Sequence, residues 1–133
     1  MSSLMAVMQA RAVSNPDHVA LICASPHSQT IEFSWSALRN SVTGLAAFLR
    51  ETGIHAGDVV AILARKPAEQ SLGLLGALGA GAVPTVLSYP SPKQNQSAFF
   101  SMFCSVIQSS GARWLLCATD FFDRAKEALH SIG

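Results

Sequence analysis

The sequence predicts a three-layer α/β fold, a mostly parallel sheet with flanking helices, and three observations carry that prediction. Short apolar runs suited to buried strands recur along the chain: VVAIL at 59–63, VPTVL at 83–87 and WLLC at 114–117. Between them lie segments whose apolar residues follow helical spacing. The joints carry the residues such joints require, with Gly53 and Gly111 after helices and Pro67 at a helix start. Strands alternating with helices imply parallel pairing through right-handed crossovers.

In chain order, Leu4, Val7, Met8 and Arg11 predict a short amphipathic helix near the N-terminus. That stretch has neither the early basic charge nor the long apolar core of a secretory signal. His18 to Cys23 and Thr30 to Ser34 read as two short strands around a turn at Ser25 to Ser28. Ser34 suits a helix N-cap, because its hydroxyl can accept from an otherwise unpaired backbone N–H. Trp35, Leu38, Val42, Leu45, Ala46 and Leu49 then form one apolar helical face. After the VVAIL strand, Pro67 fits the first turn of a helix and Glu69 complements its dipole. Leu72, Leu75 and Leu78 line this helix, and Gly73, Gly76 and Ala80 give it a small-residue side, read as a close approach to the sheet. Phe99, Met102, Phe103, Val106 and Ile107 make the face of the next helix, with Cys104 off it. Thr119 is placed as the cap of a last helix carrying Phe121, Ala125, Leu129 and Ile132.

The chain of 133 residues holds one domain at most. It is 50% hydrophobic and 13% charged, where soluble domains average about 25% charged. That shortage implies that part of the surface is covered by more protein. The net charge is +1, with no basic stripe and no interleaving of aromatic and basic residues, so nothing supports nucleic-acid binding. Cys23, Cys104 and Cys117 are odd in number and form no CxxC pair, as for reduced thiols in a cytoplasmic protein. No charge occurs from Gln70 through Pro92, but five residues there, Gly73, Gly76, Gly79, Gly81 and Pro84, argue for a buried helix and strand rather than a membrane span.

No cluster of chemistry-bearing residues emerges. GLLGALGAG at 73–81 precedes a strand, whereas phosphate-cradling loops follow one, so its glycines read as packing residues. His18, His27, His55 and His130 share no metal spacing with each other or with the cysteines. Asp58 reads as a turn residue, and Asp120 and Asp123 as dipole partners of the last helix. No catalytic, cofactor-binding or metal-ligating residue is assigned. The loop after the 83–87 strand is the exception of interest. Ligands of open α/β sheets bind beyond the strands' carboxyl ends, which makes Ser88 and Tyr89 candidate substrate-pocket residues. The alternative is a Pro-rich turn with Tyr89 as a packing residue.

A longer pattern carries a family resemblance. It comprises Pro16 with VALI at 19–22, FSWSAL at 33–38, Leu45-Ala46, Leu49, Gly53, Gly57-Asp58 with VVAI at 59–62, Glu69, and GAVP at 81–84. In order and spacing this resembles the N-terminal part of adenylate-forming (AMP-binding) enzymes. GAVPTVLSYPSPK is more similar to acyl-CoA synthetases and fatty-acyl-AMP ligases than to amino-acid adenylation domains. Arg65-Lys66-Pro67 departs from the family's common Asn-Ser-Pro. The resemblance implies an ATP- and Mg²⁺-dependent conversion of a small carboxylic acid to an acyl-adenylate, usually followed by transfer to a thiol such as CoA. The family's Lys-terminated phosphate loop, adenine-contacting aromatic segment, ribose-binding Asp and catalytic Lys have no counterpart in residues 1–133. The expectation is therefore a partial AMP-binding domain, its N-terminal subdomain only, inactive alone and partnered by the remainder of a ligase or a complementary chain. Two other readings stand beside it: a non-catalytic interaction domain that completes its sheet with another chain, and a small Rossmann-type nucleotide-binding domain.

Overall fold

A computed structural model describes residues 2–26, 28–87, 95–117 and 119–130. The chain runs α1 (Ser2–Ser14), β1 (Val19–Ser25), β2 (Ser28–Ser34), α2 (Trp35–Thr52), β3 (Val59–Leu63), α3 (Pro67–Gly79), β4 (Val83–Leu87), α4 (Gln96–Ser110), β5 (Trp114–Cys117), a 3₁₀ turn (Thr119–Phe121) and α5 (Phe122–His130). The three buried strands fall where the apolar runs put them. They form a parallel sheet ordered β4-β3-β5, with Val60 opposite both Pro84 and Trp114. β1 and β2 pair antiparallel as a separate two-stranded sheet, and among the described residues neither pairs with the parallel one.

β3 shows why three layers result. Successive side chains of a strand point to opposite faces. Val60 and Ile62 enter a core with Ala46, Leu49, Ile54 and Ala77, from α2, α3 and the turn between α2 and β3. Ala61 and Leu63 enter a second core with Phe99, Phe103, Ile107, Phe121 and Ala125, from α4, the 3₁₀ turn and α5. A third cluster, centred on Met8, Leu38 and Val42, seats α1 and the hairpin against α2 and α3.

The punctuation behaves as read. The Ser34 hydroxyl accepts from the Ala37 N–H at 3.1 Å and caps α2. Gly53 closes that helix at φ 120°, and Gly111 closes α4 at φ 71°, both positive values that side-chain-bearing residues avoid. Pro67 opens α3, and the Lys66 N–H donates to Glu69 Oε1 at 3.4 Å.

Several local expectations are corrected. The buried side of α1 is Met8 and Ala12, with Met5 partly buried, whereas Leu4 and Val7 are exposed. A wide apolar surface needs only one stripe of a helix, and the hairpin and α2 meet this one. Met102 is exposed on α4, and Cys104 lies partly buried beside α5, its thiol donating to the Ala128 carbonyl at 3.6 Å. α5 packs on that side, so tertiary contact, not helical period alone, chooses the face. Thr119 begins the 3₁₀ turn rather than capping α5. Among the glycines of α3, Gly73 meets the sheet, since a Cβ there would stand 3.2 Å from Ile62 and from Leu116, and Ala80 shares the core of Val60 and Ile62. Gly76 and Gly79 face other helices, Leu45 on α2 and Ala46 with Met5 respectively. Ile132 and His27 lie outside the described residues.

Candidate functional site

The parallel register makes the strands' carboxyl ends level: Leu63 pairs with Leu87 on one side and with Cys117 on the other. This rim is where an open α/β sheet takes a ligand. From Leu63 the chain passes through buried Ala64 and turns at Arg65 and Lys66 into α3. The Gln70 side-chain amide donates to the Ala64 carbonyl at 2.8 Å, fixing the turn to the first helical coil. A small recess of about 160 Å³ opens beside it, between the hairpin residues Cys23, Gln29 and Ile31 and the turn residues Lys66, Pro67 and Ala68. Cys23 is buried there, a small apolar wall rather than an exposed nucleophile.

Ser88 and Tyr89 follow Leu87, the level end of β4, and lie outside the described residues. Asp58 acts at the opposite end of β3. Its carboxylate accepts from the His55 N–H at 2.8 Å, and its carbonyl accepts from the Val83 N–H at 2.7 Å. The turn entering β3 is thereby tied to the one entering β4. A larger cavity of about 480 Å³, lined by Gln108, Arg113, Trp114 and neighbours, also lies at the amino end of the sheet, away from the rim.

Among the described residues no group of three His, Cys, Asp or Glu side chains converges. At the N-terminus of α3, which opens beside the rim, the Glu69 carboxylate accepts from the Lys66 N–H. No helix among the described residues is long and apolar enough to cross a membrane. The sequence missed the recess beside Lys66, because contact between a hairpin and a helix start leaves no local pattern.

Comparison with known proteins agrees with this architecture. The family model of the AMP-binding enzyme matches residues 8–130. Among curated proteins, phenyloxazoline synthase MbtB of Mycobacterium tuberculosis is 34% identical over 83 residues, covering 62% of this chain and 6% of that protein. Bacitracin synthase 1 of Bacillus licheniformis is 26% identical over 125 residues, covering 92% of this chain and 2% of that one. Among solved structures, a fatty acyl-adenylate ligase of Legionella pneumophila, crystallised with acyl adenylate and pyrophosphate, superposes with a TM-score of 0.75 at 22% identity, covering 90% of this chain and 20% of that one. The N-terminal subdomain of Klebsiella oxytoca NpsA, bound to anthranilyl-AMSN, gives a TM-score of 0.65 at 25% identity, covering 85% of this chain and 27% of that one. The chain thus spans a small part of each protein it matches. With a family match across nearly its whole length and the N-terminal fold of such ligases, this chain belongs to the AMP-binding enzyme family.

Proposed function

We propose that this chain is the N-terminal α/β scaffold of an ATP-dependent acyl-activating ligase, which converts a carboxylic acid to an acyl-adenylate and passes the acyl group to a thiol. The supporting observation is the family match over residues 8–130, carried by a parallel sheet whose strand ends form one level rim. The scaffold contributes rim and core, while ATP and Mg²⁺ are held by other parts of the ligase. Ser88 and Tyr89, directly after β4, are proposed to line the carboxylic-acid pocket.

ATP–pyrophosphate exchange with a panel of fatty, aryl and amino acids tests this reading. The polypeptide encoded by the full reading frame should exchange with at least one acid, and residues 1–133 alone with none. Exchange by the 133-residue chain alone would overturn the scaffold role. Absence of exchange by the full product across the panel would overturn acyl activation.

A further inference from the structure

We draw no further inference here: the strongest candidate, the cavity of about 480 Å³ lined by Gln108, Arg113, Trp114 and Leu129 between the end of α4, the start of β5 and α5, carries nothing, because its charged residue, Arg113, is exposed just past the carbonyl end of α4 and nothing in the structure shows what occupies it.

Discussion

The two faces of the parallel sheet are packed by opposite means. On the Val60 and Ile62 face, α2 and α3 meet over Gly76, Gly79, Ala46, Ala77 and Ala80, so backbones approach closely and little side-chain volume lies between. On the Ala61 and Leu63 face, β3 presents a small residue and a leucine, flanked by Leu87, Leu115 and Cys117, and α4 and the 3₁₀ turn add an aromatic cluster. Phe99 stacks on Phe103 with centroids 6.1 Å apart and meets Phe121 edge-on at 5.7 Å. The first face has no room to grow at Gly76, where an added Cβ would meet Leu45. The second has much to lose, because each ring fills space nothing else occupies. The same parallel sheet is thus stabilised by proximity on one side and by bulk on the other.

The comparison breaks most clearly by truncation on the aromatic side. Phe99 is 1% exposed, and Phe99→Ala should cost about 3–5 kcal/mol in urea denaturation, from lost transfer energy and the cavity left behind. A cost under about 1 kcal/mol would show that the cluster collapses to fill the gap, against the picture of bulk-dependent packing.

The glycine side should break by enlargement. A Cβ at Gly76 would come within 2.5 Å of Leu45 Cδ2 and 2.7 Å of its Cγ. Gly76→Val should therefore cost about 1–3 kcal/mol through overpacking, even though a helix interior ordinarily gains when glycine is replaced. Pairing it with Leu45→Ala should recover part of the loss, a non-additivity readable in a double-mutant cycle. Strict additivity would place the strain elsewhere.

Helix caps sharpen the comparison at smaller scale. Ser34 caps α2 on the glycine side through Ala37 at 3.1 Å, and Asn95 caps α4 on the aromatic side through Ala98 at 3.2 Å. Each alanine substitution should cost about 1 kcal/mol by chemical denaturation. Equal costs on the two sides would separate local capping from face packing. The smallest effect is expected at Met102, exposed on α4 beside buried Phe103. Met102→Ser should change stability by no more than about 0.5 kcal/mol, which isolates the buried stripe from its exposed flank on one helix.

Local chemistry was legible wherever one residue type has one use. The three strands, the Pro67 helix start, the Ser34 cap and the positive-φ closures at Gly53 and Gly111 all follow from runs and residues a few positions apart. The family resemblance was legible for the same reason, since its motifs are these structural joints. The candidate site was less so. Its rim follows from strands in parallel register, but the recess by Lys66 joins residues more than thirty positions apart, from Gln29 to Ala68, and no local pattern records such a meeting.

What the sequence determined by itself is the order of strands and helices along the chain and the residues that start and stop them, because propensity, capping and turn chemistry act within a few bonds. What only the tertiary structure decided is which neighbour each face meets. It sent Gly76 and Gly79 to helices instead of the sheet, drew Cys104 toward α5, left Met102 outside, and set β4 and β5 on opposite sides of β3. Helical period and strand alternation define faces but not their partners, and the partners come from closing the whole packing at once.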